Sequence, residues 1–332
     1  MVEAKYYSKK GDGVICSLCP NQCRLSEGQT GACRSRKVIN GILYSMAYAN
    51  PCAIHIDPIE KKPLHHFFPG SQTFSLGVAG CLLHCKNCQN YTISQAFPEE
   101  VQSGVYSPEA IVDKCIAGGC DSISYTYTEP FAFFEYTLET AKLAKSRGLK
   151  NIVVSSGFVN EQPLRELLPY IDAANIDLKC FSSQVYKTLC RGDLDVVLRN
   201  IKILNESSVW LELTNLVIPG YTDDAEMIGR MCDWLMKNGF ERVPIHFSKF
   251  YPEYLLGNVE ETPLDVIQKA VLAAKAAGLK YVYGGNVALF NDTLCPQCNT
   301  PLIKRERYSI HVVSAFTGQC PQCGCRIEGR FT

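Results

Sequence analysis

Residues 73–90 read TFSLGVAGCLLHCKNCQN: an apolar and β-branched run, two glycines, and then three cysteines in one loop. Thr73 to Ala79 has the composition of a buried strand. The glycines at its end let backbone come close to a ligand. The same kind of run recurs downstream as SISYTY from Ser122, NIVVSS from Asn151 and AANIDL from Ala173, then WLELTNLVI from Trp210 and VPIHFS from Val243. Between these runs lie helix candidates at 108–117, 131–147, 161–168, 194–205, 225–237 and 263–277. Leu138, Ala141, Leu143 and Ala144 show the apolar spacing of a helix that covers a sheet. Pro108 and Pro263 stand where helices start, and Gly148, Gly239 and Gly278 where they stop. Strand–helix units repeated about six times predict an α/β fold with a parallel sheet, open or curled into a barrel. In such sheets the chemistry gathers at the carboxyl ends of the strands.

The chain has 332 residues, and 33 lysines and arginines balance 33 aspartates and glutamates. With no net charge and no polybasic run, the sequence argues against nucleic acid or a membrane surface as a partner. The opening MVEAKYYSKKGDG lacks the apolar stretch of a secretory signal. No apolar segment approaches the roughly 18 residues of a membrane span. The expected compartment is the cytoplasm.

Eighteen cysteines are the unusual feature. A disulfide framework belongs to small secreted chains, whereas clustered thiolates in a reducing compartment bind soft metals or iron–sulfur clusters. Four cysteines fall in the first 33 residues, three between 81 and 88, and five between 295 and 325. The remaining six, Cys115, Cys120 and Cys232 among them, read as small buried apolar residues.

Cys81, Cys85 and Cys88 supply three thiolates at x3 and x2 spacing. This spacing arises by accident in roughly 5% of chains this rich in cysteine, so context decides, and a glycine-bearing strand leads directly into it. A cubane cluster has four irons, so three thiolates leave one iron open to a ligand that is not protein. S-adenosylmethionine can fill that position through its amino and carboxylate groups, and an electron then breaks a carbon–sulfur bond.

Together with CSLCPNQC…GAC, YTYTEP, NIDLK, LTNLVIPGYTDD, PIHFSKFYP and YVYGGNV, the loop resembles radical S-adenosylmethionine enzymes close to the pyruvate formate-lyase activating enzymes. It resembles still more closely the radical enzyme of the AmmeMemoRadiSam system. The resemblance implies a partial (β/α)6 barrel, a [4Fe-4S] cluster on Cys81, Cys85 and Cys88, and bound S-adenosylmethionine. It places Tyr127-Thr128-Glu129-Pro130 where activating enzymes have Gly-Gly-Glu-Pro, with Glu129 on the methionyl amine. Ser155-Ser156-Gly157 falls on a Thr-Asn-Gly turn beside the methionine and ribose. Asp177 and Lys179 match an Asp-x-Lys pair, and His246 matches a histidine near the ribose or adenine. Asn87 stands where an aromatic residue usually helps seat adenine. Each residue also has a plainer reading: Asp177 and Lys179 as a strand-end salt bridge, His246 as a core histidine, Glu129-Pro130 as a helix start.

Cys295-Pro-Gln-Cys298 and Cys320-Pro-Gln-Cys323 are two identical knuckles and match a closed zinc site of ribbon type, with a redox dithiol pair as the alternative. Cys16, Cys19, Cys23 and Cys33 could hold zinc or a second iron–sulfur cluster, with zinc favoured for an irregular loop. The expected organisation is a cysteine-rich segment over 1–65, a radical core over 66–290 and a zinc-ribbon-like tail over 291–332. Three functions stand open: hydrogen abstraction from a substrate or protein, a glycyl-radical activase, or a non-enzymatic zinc-ribbon adaptor on a degenerate barrel. The resemblance implies an electron donor such as ferredoxin or flavodoxin, and AMMECR-type and Memo-type partners.

Overall fold

In a computed structural model, which describes residues 1–306, 308–313 and 316–331, one eight-stranded sheet organises the chain. Its strands are β1 (Pro51–Pro58), β2 (Gln72–Val78), β3 (Ser122–Tyr125), β4 (Lys150–Ser155), β5 (Ala173–Asp177), β6 (Trp210–Val217), β7 (Ile245–Lys249) and β8 (Val282–Gly285). They lie side by side in chain order. β1 runs antiparallel to β2, and every later neighbour is parallel. β1 and β8 do not pair among the described residues, so the sheet stays open, as a partial barrel.

Six of these strands are the ones the sequence predicts. β8 and β1 are additions. β8 reads VYGG, too short and glycine-rich to register as a strand, and it is held by pairing Ile245 to Val282 and His246 to Tyr283. β1 begins at a proline and lies in the segment read as irregular, yet it pairs with β2 over most of its length.

Helices α1 (Pro108–Ala117), α2 (Phe134–Ser146), α3 (Glu161–Leu167), α4 (Leu194–Asn205), α5 (Ala225–Lys237) and α6 (Leu264–Ala277) alternate with the parallel strands. Each buries apolar residues against the sheet or its neighbours. In α5 the buried residues are Met227, Ile228, Met231, Cys232 and Leu235, spaced as one helical face. Ser107, Asp193 and Asp224 cap α1, α4 and α5 by accepting from first-turn N–H groups. With Leu76, Ile123, Ile176, Leu213 and Phe247, these faces form the main core.

The first 45 residues are less irregular than the sequence reads. They form two small antiparallel sheets, Val2–Glu3 with Ile42–Ser45 and Arg36–Ile39, and Tyr7–Lys10 with Gly13–Cys16 and Arg24–Leu25. Strands of two to four residues carry no periodic signal, so pattern reading passes over them. The tail adds a third sheet, Thr293–Leu294, Pro301–Glu306 and Ser309–Val312. It docks on residues 65–68: Arg305 donates to the His65 carbonyl, Phe68 N–H to the Arg330 carbonyl, and Arg330 N–H to the His66 carbonyl.

Candidate functional site

β2 runs into the cysteine loop through Gly80, which sits at φ +94°. A Cβ there would lie 2.4 Å from the Cys33 carbonyl oxygen, so only glycine lets the loop turn against the amino-terminal segment. The Cys81 N–H donates to that same carbonyl at 3.2 Å. On the other side, His84 and Lys86 N–H groups donate to the carbonyls of Cys190 and Leu189. Cys190 lies close enough to Cys85 to lower its thiol pKa. The sequence reading placed Cys190 among scattered apolar cysteines, and nothing in its spacing links it to residue 85.

Past β3, Tyr127 adopts φ +66°. This is the stretch where the activating enzymes carry two glycines, and here a tyrosine takes the left-handed conformation at a cost of roughly 1–2 kcal/mol. Tertiary contacts hold it. Its hydroxyl donates to Asp57 at 2.5 Å, its carbonyl accepts from Asn90, and the Lys62 ammonium lies 4.7 Å from the ring centroid. Burial pushes the Asp57 carboxyl up, but hydrogen bonds from Lys61, Lys62 and Tyr127 outweigh it and hold the group well below the usual carboxylate range.

Glu129 is buried at the next turn. Its Oε1 accepts from Ser155 Oγ at 2.7 Å and Phe131 N at 3.4 Å, and its Oε2 accepts from Ser156 Oγ at 2.5 Å and Ser156 N at 3.0 Å. Glu129 therefore is a helix start and also a carboxylate oriented by the end of β4. Burial pushes its pKa up against those hydrogen bonds. Burial, and then the charge of Glu129, push the Cys81 thiol up, so the carboxylate and the loop lie within electrostatic reach.

Asp177 ends β5 and accepts from Lys179 Nζ at 2.9 Å. Burial opposes the Lys179 charge, but Asp177, Cys85 and Cys190 together raise its pKa well above the ordinary value. The pair is thus a salt bridge that faces the cysteine loop.

His246 is the second residue of β7 rather than its last. It is buried and donates from Nε2 to Glu212 at 2.8 Å. Glu212 also accepts from Trp210 Nε1 and from the backbone of His65 and His66. Burial raises Glu212, and the hydrogen bond and charge of His246, with His66 and the Trp210 hydrogen bond, together outweigh it and lower its pKa. His246 also lines a cavity of about 600 Å³ that runs from Gln89, beside Cys88, past His65 and Ser248 to Tyr251 and Asn286. The residues singled out from the sequence fall into three groups: Glu129 with Ser155 near Cys81, Asp177 with Lys179 near Cys85, and His246 along this cavity. Asn87, in the loop itself, is buried with its Oδ1 unpartnered.

The outlying cysteines also sort by geometry. In the tail, the sulfurs of Cys295, Cys298, Cys320 and Cys323 all lie within 4.8 Å of one another. Cys295 to Cys323 and Cys298 to Cys320 are each 3.5 Å. A tetrahedral ion with bonds near 2.3 Å needs about 3.8 Å between sulfurs, so the set fits one ion. Among the described residues no three sulfurs of Cys16, Cys19, Cys23 and Cys33, nor those of Cys81, Cys85 and Cys88, come as close together. The amino-terminal set is nonetheless one neighbourhood: burial, and then Cys33, Cys16 and Cys23, push the Cys19 thiol up.

The Radical SAM superfamily signature matches residues 77–234. An uncharacterised protein of Methanocaldococcus jannaschii is 38% identical over 333 residues, covering 99% of each chain. The pyruvate formate-lyase 1-activating enzyme of Escherichia coli K12 is 22% identical over 222 residues, 63% of this chain and 88% of that enzyme. Among solved structures, Streptococcus suis SuiB bound to precursor peptide SuiA aligns over 70% of this chain and 52% of that chain, with TM-score 0.51 and 13% identity, a likeness of fold alone. No helix among the described residues is long and apolar enough to cross a membrane.

Proposed function

The chain belongs to the radical SAM superfamily, and we propose that it cleaves S-adenosylmethionine reductively at a four-iron cluster on Cys81, Cys85 and Cys88, then abstracts hydrogen from a substrate or partner protein. One observation carries this: a single loop at the end of β2 offers three thiols, with Glu129 acting on Cys81 and Lys179 on Cys85. A reduced four-iron cluster supplies one electron to the sulfonium, giving methionine and a 5′-deoxyadenosyl radical.

The chain's own residues fit the cofactor. Three thiolates leave one iron for its amino and carboxylate groups. Lys179 stays cationic and offsets the negative charge of the thiolates and the carboxylate. Glu129 has four donors on its two oxygens, which fills its acceptor capacity. The Phe131 N–H at 3.4 Å is the longest of these and the one a methionyl ammonium would replace. Asn87, with its buried Oδ1 unpartnered, offers an acceptor to the adenine amino group where an aromatic residue is usual. Ser155 orients Glu129 through its hydroxyl. His246, held by Glu212, forms the wall of the cavity leading from the loop, where a substrate would lie. The tail quartet holds zinc in this reading, and a one-electron donor of ferredoxin or flavodoxin type supplies the reductant.

Similarity to the Escherichia coli activating enzyme over 63% of the chain favours a second, narrower reading, in which the hydrogen comes from a glycine of a partner enzyme. AMMECR-type and Memo-type proteins are the alternative partners. The test is anaerobic protein with S-adenosylmethionine and reductant, followed by measurement of 5′-deoxyadenosine and methionine with and without each partner. The product is expected in every arm, and an activase would label its partner. Absence of 5′-deoxyadenosine from fully iron-loaded protein would sink the proposal.

A further inference from the structure

We propose that Cys16, Cys19, Cys23 and Cys33 hold a second four-iron cluster, which passes electrons to the one at Cys81, Cys85 and Cys88. The inference rests on the radical-cluster reading above, and it changes the expectation of zinc for this set.

The first argument is spacing. The four cysteines are brought together by short strands: Cys16 N–H donates to the Cys23 carbonyl at 3.0 Å, and a Cβ on Gly31 would lie 3.7 Å from Cys33 Sγ and 3.8 Å from Cys23 Sγ. Yet no three of their sulfurs converge as the tail sulfurs do, within 4.8 Å. One zinc ion needs sulfurs about 3.8 Å apart. A cubane stands between its ligands and holds them wider, at roughly 6 Å. Within this one chain, the tail brings its sulfurs within 4.8 Å of one another, and among the described residues the loop whose family binds a cubane does not. The amino-terminal set goes with the loop.

The second argument is what surrounds the sulfurs. Ala32 N–H reaches Cys23 Sγ at 3.4 Å, Ser35 Oγ reaches Cys33 Sγ at 3.3 Å, and Arg36 Nη1 reaches Cys16 Sγ at 3.7 Å. Donors to thiolate sulfur and a buried cation stabilise the extra electron of a reduced cluster. Arg36 is fully buried, and its other amino group pairs with Glu135 at 2.6 Å.

The third argument is position. A ligand of one set is hydrogen-bonded to a ligand of the other, Cys33 C=O to Cys81 N–H. This gives a short bonded path between the two sites, and Gly80 is the residue that permits the approach. Cys16, Cys19 and Cys33 are 7%, 6% and 7% exposed, whereas Cys23 is half-buried. An electron would enter at the Cys23 edge and leave through Cys33. The donor, a low-potential one-electron carrier protein, is oxidised by one electron. The second cluster is reduced and then reoxidised, so it is unchanged overall. Four protein thiolates leave no open iron, so this site binds neither cofactor nor substrate.

The experiment is anaerobic reconstitution of the full chain, with metal analysis, Mössbauer and EPR spectroscopy. Expected are about eight irons and one zinc per chain, all iron in four-iron clusters. The variant Cys81→Ala/Cys85→Ala/Cys88→Ala should keep about four irons, and Cys16→Ser/Cys19→Ser should also keep about four. Only the latter should retain an EPR change on adding S-adenosylmethionine. Fully reduced wild type should show spectra broadened by spin–spin coupling, and either variant should lose the broadening. If Cys16→Ser/Cys19→Ser does not fold, the wild-type counts decide alone. About four irons that vanish with the loop variant, beside about two zincs, would overturn this inference and leave the radical-cluster reading standing. Iron that persists in the loop variant, with no effect of S-adenosylmethionine on wild-type spectra, would instead refute the radical-cluster reading.

Discussion

The chain carries two cysteine quartets, and they are built alike but placed differently. Each hangs on a three-stranded antiparallel sheet and each leans on a buried arginine, Arg36 in the head and Arg305 in the tail. The head quartet touches the radical loop through Cys33 and Cys81. The tail quartet closes on itself and docks at residues 65–68, at the amino end of β2 and away from that loop. Four thiolates alone do not say what a site is for. Sulfur spacing and the distance to the chemistry do.

The arginines sharpen the contrast. Burial opposes the Arg36 charge, but Glu135, Cys16 and Cys33 raise its pKa. The Arg305 backbone N–H donates to Asp292 Oδ1 at 2.8 Å, but its guanidinium makes no salt bridge among the described residues. It donates to the carbonyls of Asn291 and His65 and to Thr293 Oγ1, and burial lowers its pKa. The head thus places a paired cation beside its thiolates, as the proposed second cluster would need. The tail uses its arginine as a clamp between a loop and a ribbon.

The largest effect should come from emptying the tail. Replacing Cys295, Cys298, Cys320 and Cys323 with serine removes zinc binding that is worth about 10 kcal/mol or more in small zinc domains. Hydrogen exchange should show residues 291–313 unprotected, while iron content and 5′-deoxyadenosine formation persist. Loss of iron in that variant would break the division of labour. Next comes Arg36→Met, which strands the buried Glu135 and should cost about 3–5 kcal/mol, together with head-site iron. Arg305→Met leaves uncharged acceptors and should cost less, about 1–3 kcal/mol, with no change in iron. Denaturant unfolding with metal analysis checks both.

How much of this was legible beforehand depends on the kind of contact. The six strands with apolar β-branched runs announce themselves, and the cysteine triplet with Glu129, Asp177 and Lys179 follows from motifs. β1 and β8 do not, because one starts at proline and the other ends in glycines, and their pairing rather than their composition makes them strands. Cys33 to Cys81, Arg36 to Glu135 and Cys190 to Cys85 join residues far apart in the chain, and no local pattern encodes them. Tyr127 looked like a defect in a glycine motif. The structure shows Tyr127 in a left-handed turn held by Asp57, Lys62 and Asn90.

Gly80→Ala probes the head contact more locally. The added methyl meets the Cys33 carbonyl at 2.4 Å, and the φ of +94° is strained for any side chain, so about 2–4 kcal/mol should be lost. EPR coupling between the two iron sites should weaken, and tail zinc should stay. A variant with unchanged coupling would mean that the Cys33–Cys81 contact is not the path.

The smallest effect is a shift in pH dependence at the tail, and it separates a metal site from a redox dithiol. The Cys298 pKa is lowered to about 6 by hydrogen bonds from the Thr300 side chain and backbone. A group lowered in this way is already a thiolate at neutral pH, and its contribution to metal binding is lost as pH falls through about 6. Zinc release, followed with a chromophoric chelator, should therefore rise as the solution is acidified past that value. Thr300→Val removes the side-chain donor and keeps the backbone one, so the Cys298 pKa moves partway back up. Protons then compete with zinc at a higher pH, and the release midpoint shifts up by a fraction of a unit. Cys295 and Cys298 as a redox pair would behave otherwise: oxidant would form a disulfide, and no zinc would be there to release. A midpoint indifferent to Thr300 would remove the hydrogen bond from the account and leave the four sulfurs' convergence as its sole support.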